Sequence, residues 1–398
     1  SCIREFDSPH PLHTAAPTQF MTREPVLDKA TVNSLNKRLL HHRRNDTTDQ
    51  APAEMRLPAS EFYCPDLFAR ERAKLFTHTP QPVAFSGEIA QPGSFLTLQV
   101  LDVPVLLTRD DNGQLRAFVN ACSHRGAQVA SGHGRRGHLV CPFHGWTYSL
   151  DGALRGRPRE TSFDTPEEDC ALLPLAVSER HGIVVVAISE TVSQHAVESA
   201  LSELGDEIGH CHFERYRPLE RRQFNPDANW KLVTDLSLES YHFSTLHRDS
   251  VGQLLASNAV VDTFGRHSRW AFPLKSIDRL AELQEAAWPD AVEGSCTYTL
   301  FPGIMLIVNA LGAQMIRAEP GRLPGQSRVV YVGMCAPGCD LEQARQAYAF
   351  GGEVFAGEDL PVAEECQLGL AAGQRELLLG RNEPLLQFWH RAWRDALE

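Results

Sequence analysis

The stretch "CSHRGAQVASGHGRRGHLVCPFHGW", residues 122–146, places Cys122-x-His124 and Cys141-x-x-His144 on two short segments separated by sixteen residues. Two thiols and two imidazoles that return to one place can hold a metal. A structural zinc site of the Cys2His2 kind usually takes two cysteines from one knuckle and two histidines from a helix. Here each segment supplies one of each, and the Gly-rich stretch between them leaves no room for a finger helix. A 2Fe-2S cluster in which imidazoles replace two thiolates on one iron needs such a two-by-two set. Cys122, His124, Cys141 and His144 are therefore expected to bind a cluster of that mixed kind.

The flanking sequence is written in short strands and turns. "SFLTLQVLDVPVLLTRDDNGQLRAFVN", residues 94–120, reads as strands joined by an Asn112-Gly113 hairpin, and "CPFHGWTYSLDGALRG", residues 141–156, repeats the device at Asp151-Gly152. This predicts a small all-β domain over residues 57–190 with the Cys/His segments at hairpin tips. Such tips can aim several backbone N–H groups at the sulfurs. Trp146 and Tyr148 are expected to be core aromatics beneath the second segment.

Beyond residue 190 the texture changes. "NWKLVTDLSLESYHFSTLH", residues 229–247, has a helical pattern, and residues 295–321 and 327–335 read as neighbouring antiparallel strands. Residues 382–398 carry an apolar stripe of Leu385, Phe388, Trp389, Ala392, Trp393 and Ala396, expected in the core or at a subunit interface. The expected class is α+β: a small all-β domain, then a larger helix-grip-like domain of helices on an antiparallel sheet over residues 191–398. Within it, Glu239-x-x-His242 and His247 form a second metal motif. Positions 242 and 247 diverge by about 140° on an ideal helix, so both imidazoles reach one ion only if the helix loosens or ends between them. Two histidines and a carboxylate on one face of an octahedron are the ligand set of non-haem Fe(II) oxygenases.

The bulk properties narrow the alternatives. Fifty acidic against 38 basic residues give a formal net charge of -12, which argues against a nucleic-acid partner. The one basic run, "NKRLLHHRRN" at residues 36–45, suggests a solvated helix or an arm on a neighbouring subunit. The cysteines outside the motif are expected to be buried free thiols in a reducing compartment. The longest apolar run, "GIVVVAIS" at residues 182–189, is too short to cross a bilayer. A soluble, cytoplasmic protein without membrane partners is expected. Met21 has the appearance of a natural start, so residues 1–20 read as a leader and residues 1–56 as leader and arm.

"NACSHRGAQV", "CPFHGWTYSLDG", "NWKLVTDLSLESYHFSTLH" and "GEDLPVAEECQLGL" together resemble the catalytic (alpha) subunit of the Rieske non-haem iron oxygenases, in that family's order, from about residue 57 onward. The resemblance implies a Rieske 2Fe-2S cluster on Cys122, His124, Cys141 and His144, and a mononuclear Fe(II) on His242 and His247. It implies a third ligand in the acidic segment followed by Gln367. Asp359 is the match, with Glu358 as its nearest rival and Glu353, Glu364 and Glu365 close by. It also implies a head-to-tail homotrimer, in which His144 of one subunit faces the iron site of the next, and Glu239, three residues from His242 and so on the same helix face, serves catalysis by accepting hydrogen bonds from both of these imidazoles. Electrons would start on NAD(P)H and arrive through a separate reductase, with or without a ferredoxin. No Gly-rich dinucleotide fingerprint is evident in this chain. The implied activity is that of a terminal oxygenase using O2 to hydroxylate or oxidatively demethylate a small aromatic or amine substrate. Glutamate at 239, where ring-dihydroxylating members often carry Asp, resembles the members acting on quaternary amines. Residues 248–294, with Phe264, Trp270, Phe272 and Trp288, are expected to line the cavity. A Rieske electron carrier with a ligand-binding domain and no catalysis, holding two irons, and a zinc-stabilised binding protein, holding none, are the competing readings.

Overall fold

Strands such as Ile304–Asn309 and Ser327–Cys335 are apolar at nearly every position because both faces of their sheet are buried. In the computed structural model, which describes residues 27–205 and 207–398, they belong to a seven-stranded antiparallel sheet. Its spatial order is Arg217–Phe224, Ser327–Cys335, Gly312–Pro320, Ile304–Asn309, Gly294–Leu300, His267–Pro273 and Val260–Phe264. Side chains alternate across it: Met305, Ile316, Ala318, Val329 and Tyr331 point to one core, and Ile304, Leu306, Met315, Val330 and Val332 to the other. The first core is closed by helices Trp230–Asp235, Leu360–Ala371 and Pro384–Leu397, whose Leu385, Trp389 and Trp393 are buried. The α+β reading and the helix-on-sheet arrangement hold. The C-terminal stripe lies in this core, with Phe388 and Ala396 at its edge.

The all-β unit is a five-stranded sheet that includes Ser94–Val100, Val103–Arg109 and Leu115–Val119, with a three-stranded sheet of His138–Val140, Thr147–Ser149 and Leu154–Gly156 beside it. Both expected hairpin turns form, since Val103–Arg109 pairs antiparallel with Leu115–Val119 and Thr147–Ser149 with Leu154–Gly156. Its inner cluster, including Phe95, Leu106, Phe118, Leu139, Tyr148 and Leu154, contains no residue of the large sheet.

Three expectations are corrected. The boundary at residue 57 does not follow the packing. Met55–Pro58 pairs with Glu376–Leu379, and Leu57, Phe62, Phe68, Leu75 and Phe76 fill the core around Trp230. Apolar burial thus assigns residues 55–77 to the larger domain. The basic run does form a helix, but only one face of it is solvated, with Lys37, His41 and Arg44 exposed. It lies in helix Lys29–Asn45, capped by Asp28 accepting from the Thr31 N–H (3.0 Å), with Val32, Leu35, Leu39 and Leu40 buried on the second face of the large sheet. Its cations find carboxylates within the chain, as Arg38 does at Asp49 (2.9 Å) and Asp262 (2.8 Å). Residues 229–247 are not one helix, because the helix Trp230–Asp235 ends and a 3-10 turn, Tyr241–Ser244, follows. Of the cysteines outside the motif, Cys170, Cys211, Cys296, Cys335 and Cys339 are buried as expected, while Cys64 is half-buried and Cys366 exposed. The suspected leader, residues 1–20, and Cys2 lie outside the described residues. No described helix is long and apolar enough to cross a membrane.

Candidate metal centres

The two Cys/His segments fold into the same loop twice. In each, the cysteine N–H donates to the carbonyl five residues on, Cys122 to Ala127 and Cys141 to Trp146 (both 2.8 Å). In each, the glycine four residues on donates back to the cysteine carbonyl, Gly126 at 2.8 Å and Gly145 at 3.0 Å. Closing so tight a loop puts both glycines at φ +76°, a region that side chains other than glycine rarely adopt. The sequence therefore specifies each loop locally.

The loops bring the four residues together in two pairs. Cys122 and Cys141 are buried (4% and 2% exposed), and their thiols interact; burial pushes the Cys122 thiol pKa up, against the Tyr148 hydroxyl, which lowers it. The imidazoles lie outward, ring centroids 4.6 Å apart, with His144 exposed. His124 Nδ1 is buried and has no hydrogen-bond partner among the described residues. An orphaned buried ring nitrogen costs free energy unless something binds it. Two thiols inside and two imidazoles outside, one nitrogen waiting, fit a dinuclear cluster with unlike irons, in which four ligands need not converge on one point. Trp146 and Tyr148 prove to be more than packing. Trp146 stacks on His124 (centroids 4.9 Å, planes 4° apart), while Tyr148 Oη lies 3.1 Å from Cys122 Sγ and 2.9 Å from Ser123 Oγ. Arg157, held by Glu160 at 2.7 Å, sits over Trp146 and Phe163. The sequence signal for the tyrosine was its place two residues after Trp146, on the strand leaving the second loop.

The second centre assembles from three places in the chain. His242 lies in the 3-10 turn, His247 in the bend after it, and Asp359 at the end of a π-helical turn, Phe355–Asp359, between helices Leu341–Val354 and Leu360–Ala371. The loosening that the spacing required takes the form of a helix end before Glu239 and a bend after Ser244. The π turn appears instead on the carboxylate segment. Among the described residues His242, His247 and Asp359 form a group whose ligand atoms all lie within 4.8 Å of one another. His242 Nε2 is 3.1 Å from His247 Nε2, and Asp359 Oδ1 is 3.2 Å from His247 Nε2 and 3.8 Å from His242 Nε2. Three donor atoms of this type, converging and mostly buried, fit a single metal ion.

The outer ring nitrogens are held by carboxylates. His242 Nδ1 donates to Glu239, and His247 Nδ1 donates to Glu358 Oε2 at 2.7 Å, where Ser250 Oγ also donates at 2.8 Å. This corrects only the expectation that Glu239 would share a helix face with His242: it lies between the helix Trp230–Asp235 and the 3-10 turn, and still accepts from His242 Nδ1. Glu239 serves His242, and Glu358, the rival for the third ligand position, serves His247. Burial works against the charged form of His247, but Asp359 and Glu358 outweigh it and raise its pKa. Gly252 lets the bend close, since a Cβ there would meet the carbonyls of Phe243 and His247 at 2.3 and 2.6 Å. Gln367 accepts from the Asn229 N–H (2.9 Å) and so ties the aspartate helix to the start of the histidine segment. Of the expected cavity aromatics, Trp270 and Phe272 lie against Phe243, which is 5.7 Å from His247 by ring centroids. Phe264 and Trp288 pack against the opposite core and do not join them.

The family described as Ring hydroxylating alpha subunit (catalytic domain) matches residues 213–398, and the Rieske [2Fe-2S] domain matches residues 79–172. The glycine betaine monooxygenase oxygenase subunit of Chromohalobacter salexigens is 30% identical over 211 residues, 53% of this chain and 47% of that protein. The chain spans about half the length of the curated relatives it matches. A solved quaternary ammonium Rieske monooxygenase, reported to give insights into carnitine oxidation by gut microbiota and inter-subunit electron transfer, superposes with TM-score 0.71 at 20% identity, over 87% of this chain and 96% of that one. Naphthalene 1,2-dioxygenase from Rhodococcus sp. bound to indole superposes with TM-score 0.70 at 18% identity, over 92% of this chain and 98% of that one. At these identities the two structures establish the fold.

Proposed function

We propose that this chain, which belongs to the Rieske non-haem iron oxygenases as a catalytic (alpha) subunit, is a terminal oxygenase that hydroxylates or oxidatively demethylates a small organic substrate with O2 and electrons from an NAD(P)H-dependent reductase. The observation that carries this reading is the coexistence of two metal-ligand sets of different chemistry, one in each domain. A carrier would need only the first, and a zinc protein neither the orphaned His124 nitrogen nor the His242, His247 and Asp359 group.

The Rieske cluster, when bound by Cys122, His124, Cys141 and His144, supplies single electrons, and iron held by His242, His247 and Asp359 supplies the means of activating O2. The protein's own groups prepare both places. Tyr148 O–H beside Cys122 Sγ favours the more negatively charged state of the sulfur. Glu239 and Glu358 hold the Nδ1 protons of His242 and His247, which fixes each ring with its Nε2 lone pair turned toward Asp359. Phe243, Trp270 and Phe272 wall the site beside the histidines.

Such a wall suits an aromatic ring or, by its electron-rich faces, an alkylammonium group. An N-methylated amine is the substrate class proposed, because Glu239 stands at the position that distinguishes amine from ring-hydroxylating members and the relative from Chromohalobacter salexigens is a glycine betaine monooxygenase subunit. The subunits are proposed to form a head-to-tail homotrimer, in which exposed His144 of one subunit passes electrons toward Glu239 and His242 of the next. Mixed trimers of Cys122→Ser and His242→Ala subunits test this: each parent is inactive, and mixing restores turnover of an N-methylated amine with a surrogate reductase. Verified mixed trimers that stay inactive refute the cross-subunit route. Turnover of naphthalene but of no amine refutes the substrate class.

A further inference from the structure

Between Asp111 and Asp151 the chain has no acidic residue, yet it carries Arg116, Arg125, Arg135 and Arg136. In a protein of net charge -12 this gathers positive charge on the domain that holds the Cys/His loops. Of the four arginines only Arg116 has a carboxylate partner, Asp110 at 3.2 Å. Arg135 donates to the Pro92 carbonyl at 3.0 Å, Arg136 lies over the Phe95 ring at 5.3 Å and Arg125 over Phe143 at 4.7 Å, and none of the three forms an ion pair among the described residues.

These charges border an uncovered sheet face. In the three-stranded sheet of His138–Val140, Thr147–Ser149 and Leu154–Gly156, Leu139, Tyr148 and Leu154 enter the β-domain core, so His138, Val140, Thr147, Ser149 and Arg155 turn to the other side. Val140 is 43% exposed there, with His138 exposed beside it and Arg135 and Arg136 just before on the chain. Arg155, bridged to Asp151 at 3.5 Å, donates to Ser149 Oγ at 2.9 Å on the same face. The acids Glu167, Glu168 and Asp169 lie beside Leu154–Gly156, the strand at the opposite edge from Val140. An apolar residue rimmed by cations has the composition of a docking surface for an acidic protein. Val140 directly precedes Cys141, and His138 is three residues from it, about 10 Å along an extended strand. His144 lies on the loop that runs beyond the end of these strands, so the tip can meet the next subunit while this face stays open.

We infer that this face docks the electron donor, and that the donor is an acidic protein carrying a one-electron group such as a 2Fe-2S cluster. The inference rests on the reading of this chain as a terminal oxygenase fed by a separate reductase. In each encounter the donor is oxidised by one electron and the Rieske cluster reduced by one, the electron entering on the Cys141 side and leaving through His144. Opposite charges steer the encounter, and the small apolar centre keeps it short-lived, as redox contacts require.

The test uses the cluster-loaded protein and a reduced plant-type 2Fe-2S ferredoxin, an acidic carrier whose potential lies below that of Rieske centres. Stopped-flow absorbance follows reduction of the Rieske cluster, and calorimetric titration with the oxidised ferredoxin measures binding. The second-order reduction rate is expected to fall about tenfold or more between low salt and about 0.5 M. Arg135→Glu/Arg136→Glu should slow the low-salt rate and weaken binding about tenfold or more, and Val140→Asp should weaken binding as well. Lys37→Glu/Arg44→Glu, an equal charge change on helix Lys29–Asn45, should leave both within about twofold. Rates indifferent to salt, or equal losses in the two double variants, overturn the proposal. So does dissociation of the oligomer by Arg135→Glu/Arg136→Glu, which would make this face a subunit contact. A preparation without a Rieske spectrum refutes the oxygenase reading and this proposal with it, whereas a normal spectrum with salt-indifferent rates refutes the docking surface alone.

Discussion

Glu358→Ala separates the carboxylate that holds a histidine from the one that faces the metal position. Glu358 Oε2 takes the proton-bearing Nδ1 of His247 at 2.7 Å and the Ser250 hydroxyl at 2.8 Å. His247 is only 3% exposed, so water does not readily replace the lost acceptor. A hydrogen bond to a charged partner contributes about 1.5–3 kcal/mol, which corresponds to roughly 10–100-fold in metal affinity, the range seen when such supporting groups are removed. Asp359→Ala removes a ligand atom itself and should cost more than about 100-fold. Glu358→Gln, which keeps an oxygen near His247, should fall between Glu358→Ala and the native protein. The assay is anaerobic Fe(II) titration of cluster-loaded protein stripped of its third iron, against a competing chelator. The cluster absorbance serves as the control for folding. Native iron affinity in Glu358→Ala would refute the argument, and a larger loss there than in Asp359→Ala would exchange the two roles.

Cys122→Ser and His144→Ala should each abolish the visible 2Fe-2S absorbance; a normal Rieske spectrum in both would remove the cluster assignment. Tyr148→Phe deletes the hydroxyl 3.1 Å from Cys122 Sγ and should lower the cluster potential by roughly 50 mV, about 1 kcal/mol for one electron, as read by redox titration. Glu239→Ala should keep the cluster, weaken iron binding less than Glu358→Ala because His242 is less buried than His247, and lose most turnover even with the iron site saturated; a variant as active as the native protein would make Glu239 an incidental partner of His242. His267, which accepts from the Phe301 N–H at 3.2 Å, has its pKa pushed down by burial from 6.5 to about 4. Between those values the unfolded chain binds a proton that the folded chain does not, so stability is lost as pH falls below 6.5, by about 2 kcal/mol at pH 5. Urea unfolding of His267→Gln, which keeps an acceptor, should show that much less loss between pH 7 and 5; equal losses would contradict it.

The sequence by itself determined whatever depends on neighbours a few residues away. The Cys122 and Cys141 loops close through bonds from i to i+5 and need glycine at Gly126 and Gly145, so residue type and spacing specify them. The Asn112-Gly113 and Asp151-Gly152 hairpins and the runs at residues 295–321 and 327–335 are legible for the same reason. Local turn chemistry and continuous apolar patterning leave few alternatives. What the tertiary structure decided lies between distant residues. His247 meets Glu358 and Asp359 more than a hundred positions along the chain, and a π turn determines which carboxylate faces the histidine nitrogens and which stands behind them. Adjacent side chains on a helix point about 100° apart, so a one-residue change of register exchanges their roles, and composition carries no record of register. Residues 29–77 likewise read as an arm and the start of the β domain until their apolar side chains find the large sheet and Trp230. An amphipathic segment states that one face must be buried, but not against what, because hydrophobic burial is non-directional and only the assembled core supplies the partner.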